Sequence, residues 1–225
     1  MFGLIGAGIA AISGGLSAVG AAVSSVCSLV GGPVISTGRI MIEAISRGLP
    51  VVIQVCDIAF TVGKALGFFA PEQNEVDMYE LGMRTEHAVE AGITSDQFES
   101  NQAYINYLRD KITLSKDSIE KLDDLSASDK LKYASIGSAM TIAAIKEKYN
   151  IDIPESFWLT GAELGIEPQQ FKPLLDIFER AELKPDLQGF QKGELDSDLQ
   201  SKIYNLIDSS LGDILSKETV DKLLS

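Results

Sequence analysis

The chain has 225 residues, 45% of them hydrophobic, and carries 19 basic against 32 acidic side chains, a formal net charge of -13. That length is enough to bury a real core and admits one large or two small domains. An acidic balance of this size repels phosphate backbones, whose binding draws on Lys and Arg displacing condensed counterions, so direct binding of DNA or RNA by the acidic part is excluded.

The charge is unevenly placed. Residues 1–71 hold three basic side chains (Arg39, Arg47, Lys64) and two acidic ones (Glu43, Asp57), so the 30 other acidic residues all fall in 72–225. Two materials are therefore expected: an apolar, membrane-associating or oligomerising helical segment at 1–71 and an acidic, soluble helical domain at 72–225. The only two cysteines, Cys27 and Cys56, lie in the apolar part. They are too few for a disulfide framework and lack the clustering of a zinc site, so they read as small buried residues, with one disulfide between them left open.

The opening stretch, MFGLIGAGIAAISGGLSAVGAAVSSVCSLVGGPVIS, has no charged residue. No basic residue precedes it and it is too long for an ordinary apolar signal core, so a cleavable signal peptide is not expected. Small residues recur every four positions: Gly6, Ala10, Gly14, Ala18 and Ala22 in one row, Gly3, Ala7, Ala11 and Gly15 in a second. On a helix these rows form grooves that let another helix approach closely, which marks them as candidate helix-packing and oligomerisation positions. A helix so rich in glycine is poor in water and needs lipid or close protein neighbours. Gly31-Gly32-Pro33 should stop it.

A short amphipathic helix or hairpin connector follows, with Ile40, Ile42, Ile45 and Leu49 on one side and Glu43 spaced to pair with Arg47. Pro50 and Pro71 then bound about 20 residues, roughly the length of a membrane-crossing helix. Gln54, Asp57, Thr61 and Lys64 make a polar stripe on it, which fits the lining of a pore or the interior of a helical bundle.

The acidic part reads as helices joined by short turns. One should cover the stretch closed by Gly92; a second should start at a Thr94 or Ser95 cap and carry Phe98, Tyr104, Ile105 and Leu108; a third, short one should follow Ser115. The longest pattern begins at a Ser126 or Ser128 cap, and its uncharged middle, ASIGSAMTIAAI, is too short to span a bilayer and suits a central core helix. Pro154 and Pro168 should open two more helices, with Trp158 in the core. KPDLQGFQKGE reads as a turn before one or two closing helices. The fold class expected is all-α: a Gly/Ala-rich apolar helical hairpin with the character of membrane helices, followed by an acidic multi-helix bundle.

The chemistry-bearing patterns are sparse. His87 is the only histidine and no HExxH motif contains it, so it reads as a surface or capping residue. GAGIAAISGG lacks the preceding strand and the later acidic residue of a dinucleotide site. Asp186, Glu194, Asp196 and Asp198 crowd one loop without the spacing of a calcium hand. No catalytic residue, metal ligand or cofactor is assigned, and no enzymatic activity is expected. The leading expectation is a membrane-inserting, oligomerising component, a pore or conduit such as an ejected phage protein or secreted translocator. Its partners would be a lipid membrane, further copies of itself and other protein subunits, and it would be membrane-associated, or carried in a particle or secretion complex before insertion. The alternative is an anchored or complex-buried structural or adaptor protein whose acidic helices bind a partner.

Overall fold

A computed structural model describes residues 15–70, 72, 73, 75–115, 124–207 and 214–224. The described residues form an all-α structure of eleven helices: α1 Leu16–Val30, α2 Val34–Arg47, α3 Leu49–Ala65, α4 Glu75–Glu90, α5 Asn101–Lys111, α6 Ala127–Lys148, α7 Glu155–Glu163, α8 Pro168–Arg180, α9 Leu187–Gln191, α10 Ser197–Leu206 and α11 Lys217–Leu224. The short helix expected after Ser115 lies largely outside the described residues, as do Gly3, Gly6, Ala7, Ala10, Ala11 and Gly14.

The organising element is α6. Ser126 caps it, its hydroxyl accepting from the Asp129 amide at 3.1 Å. Every residue from Ala134 to Ile145 is buried. A helix apolar on all sides must be covered on all sides, and α1, α2, α3, α4 and α5 all pack against it. α7 and α8 pack on α3, and there Trp158 stacks on Phe171 while Phe157 meets both rings edge-on, with ring centroids 5.5–6.3 Å apart. Trp158 is fully buried, as its place in the sequence suggested.

Helices from both sides of the composition boundary at Pro71 thus share one hydrophobic core. The boundary marks a change in surface charge between α3 and α4, and packing continues across it.

Close approach to α6 depends on glycines. A Cβ placed on Gly82 of α4 would lie 2.1 Å from the Tyr133 carbonyl oxygen of α6, and one on Gly137 of α6 would lie 2.3 Å from the Met78 carbonyl of α4. Each glycine meets the residue one turn before the other, so this crossing has two reciprocal notches. Gly63 of α3 lies against the Thr141 side chain of α6, and Gly38 of α2 lies against the Cys27 side chain of α1.

The region between Pro50 and Pro71 departs from its expected length. α3 runs for 17 residues, Leu49 to Ala65. Gly67, at φ 81°, takes the left-handed position, and the Phe68 amide reaches back to the Gly63 carbonyl at 2.9 Å. This backbone arrangement satisfies the last carbonyls and buries the apolar residue that follows. Gly92 closes α4 by the same device, and Gly165, Glu182 and Gly193 close α7, α8 and α9.

Two local expectations are corrected. Thr94 precedes and Ser95 opens a single 3-10 turn, Ser95–Gln97, and α5 is capped instead by Ser100, whose hydroxyl accepts from the Ala103 amide at 3.0 Å. KPDLQGFQKGE contains the helix α9, because Asp186 caps Gly189 at 2.8 Å and Leu187 and Phe190 are pulled into the core.

Candidate interaction face

Of the described helices with eight or more residues, α1 alone has no charged side chain. Its inner side, Val19, Gly20, Val23, Val26, Cys27 and Val30, is buried against α2 and α6. Its outer side exposes Ser17, Ala18, Ala21, Ser24, Ser25, Ser28 and Leu29. Of the row positions that are described, Ala18 is exposed, while Gly15 and Ala22 are half-buried.

The C-terminal end of this face is fixed by a turn. Gly31 and Gly32 adopt φ 85° and 52°, a region that favours glycine. The Ser95 hydroxyl donates to the Val30 carbonyl at 3.0 Å and so caps the end of α1. The Asp96 carboxylate lies against the same turn: a Cβ on Gly31 would stand 2.6 Å from it. On either side of the turn sit two large apolar side chains open to solvent, Leu29 at 58% and Ile35 at 40% exposure. Arg39 is one turn beyond Ile35 on α2 and is exposed.

The polar stripe on α3 has its observed contacts within the chain. Gln54 donates to the Ile166 carbonyl at 3.0 Å, between α7 and α8. Asp57 is only 8% exposed and engaged, Thr61 is half-buried, and Lys64 donates to the Gln73 carbonyl at 2.7 Å. Gln73 is the centre of a clasp at the junction of α3 and α4. Its amide donates to Asp77 at 2.8 Å, and its Oε1 accepts from the Ala70 amide and from Arg109 at 2.8 Å. Arg109 also donates to the Phe68 carbonyl at 2.8 Å, and Arg84 donates to the carbonyls of Ile112 and Arg109. These groups border a half-open cavity of about 230 Å³ between α4, α5 and the junction.

Cys27 and Cys56 are buried free thiols, and burial pushes both up to about 12. Such thiols are inert packing groups at neutral pH. His87 is exposed in the last turn of α4. Asp186 and Asp196 serve as helix caps. No cluster of metal-ligating side chains occurs among the described residues, and among them no helix is long and apolar enough to cross a membrane.

Sequence reasoning missed Leu29, Ile35, Asp96 and the Gln73 clasp. Leu29 and Ile35 sit in apolar patterns whose inner and outer sides can be told apart only once α6 is known to be the neighbour. No family model, curated protein or solved structure matches the chain.

Proposed function

We propose that the protein is a non-enzymatic assembly component, a helical scaffold that joins other protein subunits. The observation that carries this reading is the two-sidedness of α1: its apolar inner side covers the chain's own central helix, and its outer side presents a charge-free face on an otherwise acidic molecule. A charge-free face with exposed Leu29 and Ile35 is the kind of surface that marks a protein contact. The acidic helices offer a separate surface to a basic partner, through contacts that salt would weaken.

Membrane insertion with oligomerisation is a second reading. It is favoured by the absence of any charged residue before Arg39, which suits a segment held against protein in one state and against lipid in another.

Liposome flotation and dye release by the full chain separate the two. The assembly reading expects a discrete, detergent-independent species that neither floats nor releases dye. Flotation with dye release would overturn it in favour of the conduit.

A further inference from the structure

We propose that the end of α1 and the start of α2 form a two-fold interface with a second copy of this chain, with Leu29 and Ile35 at its centre and Arg39 facing Asp96 of the other copy. This rests on the assembly reading and names the partner.

Charge decides the occupant. Two copies at -13 repel over most of their surface. Contact is least opposed where acid is absent or balanced, and the outer side of α1 is the charge-free part of the described helical surface. At its end lie one exposed cation and one exposed acid, Arg39 and Asp96, with no ion pair between them or with any other described residue. A two-fold axis places the same patch on both partners, so a patch carrying one charge of each sign can pair with itself twice. Between the charges, Leu29 and Ile35 supply the apolar centre that such contacts use.

The test is sedimentation of the full chain over a concentration series with five samples: the parent, Leu29→Glu, Arg39→Asp, Asp96→Arg, and an equimolar mixture of the last two. All three substitutions fall on exposed side chains, so unchanged melting temperatures verify folding. The expected result is a dimer in the parent chain, loss of dimer in Leu29→Glu, and a Kd raised by about tenfold or more in each charge variant alone. In the mixture every cross-copy contact again joins an acid to a base, so dimer should return. A parent chain that stays monomeric overturns the inference, and so does a dimer indifferent to all three substitutions. In the second case the assembly reading survives with its interface elsewhere. A monomer that also takes up no partner subunit brings both down. Charge variants that weaken the dimer without rescue in the mixture overturn the Arg39–Asp96 pairing.

Discussion

Replacing Gly82 with alanine should destabilise this protein, although the same exchange inside a helix ordinarily stabilises by about 1 kcal/mol. The methyl would stand 2.1 Å from the Tyr133 carbonyl oxygen and 2.8 Å from its carbon, whereas unbonded atoms settle near ~3.5 Å. The obstruction is backbone on a helix packed from five sides, so α4 and α6 must separate by about an ångström. Overpacking of this kind costs about 1–3 kcal/mol and sometimes more, and the propensity gain offsets only part of it. Against a gain of about 1 kcal/mol this leaves a net loss of up to about 2 kcal/mol, at the upper end here because the obstructing atom is backbone. Gly137→Ala should behave alike, with its methyl 2.3 Å from Met78 O, and the double variant should cost less than the sum because both relieve at one crossing. Gly20 is the internal control: it is buried in α1, yet a methyl there meets nothing within 4 Å. Gly20→Ala should therefore raise stability by about 1 kcal/mol. Urea unfolding followed by far-UV circular dichroism reads all four. A Gly82→Ala midpoint at or above the parent's would refute the crossing.

Three further outcomes are expected. Burial raises Cys27 and Cys56 to about 12, so the folded state holds these thiol protons more tightly than the unfolded state does; their contribution is intact below about pH 8.5 and drains away as pH climbs toward 12. Tyr104 and Tyr149 are raised by burial as well, Tyr149 also by Asp176, and extend the loss upward; a urea midpoint that stays flat from pH 7 to strongly alkaline pH would contradict this, as would labelling of the native thiols by iodoacetamide at neutral pH. Arg109→Gln removes the bonds to Phe68 and Gln73, so hydrogen exchange at Ala70 should quicken by about tenfold, on the scale of one lost charge-assisted bond, while amides in the middle of α6 keep their protection. A chain starting at Glu72 loses the cover that α1, α2 and α3 give α6; it should bind ANS and lack near-ultraviolet dichroism, and cooperative unfolding of that fragment would refute the shared core.

Much of the helical outline was legible because it rests on local chemistry. Gly31-Gly32-Pro33, Gly92, Pro154, Pro168 and the Ser126 cap each act through their own backbone or the next turn, and ASIGSAMTIAAI announces burial by lacking any charged residue. What stayed hidden depends on which helix faces which. The Pro50–Pro71 interval suggested a longer helix because proline is a conspicuous boundary, yet Gly67 followed by Phe68 ends α3 earlier, and that pair was the readable signal. Most positions in the rows of small residues lie outside the described residues; within them, close crossings occur at Gly38, Gly63, Gly82, Gly137 and Gly161, single glycines with no visible periodicity. The Gln73 clasp joins residues from 64 to 109, a separation that no local pattern encodes.

The apolar composition of the first third acquires a physical reason once α6 is seen at the centre. A helix with twelve consecutive buried residues needs neighbours that are apolar, and five helices can surround it only if some approach very closely, which calls for small residues at the crossings. Both demands fall on α1–α3 and α4, and among the described residues they account for the buried valines of α1–α3 and for Gly63 and Gly82 at the crossings with α6. They do not account for the outer side of α1, where serine and alanine stand although lysine or glutamate would raise solubility. Core packing leaves that side free to vary. Its freedom from charge, ending in exposed Leu29 and Ile35, is a feature of the described surface that burial leaves unexplained, and it is the observation on which the proposed interface rests.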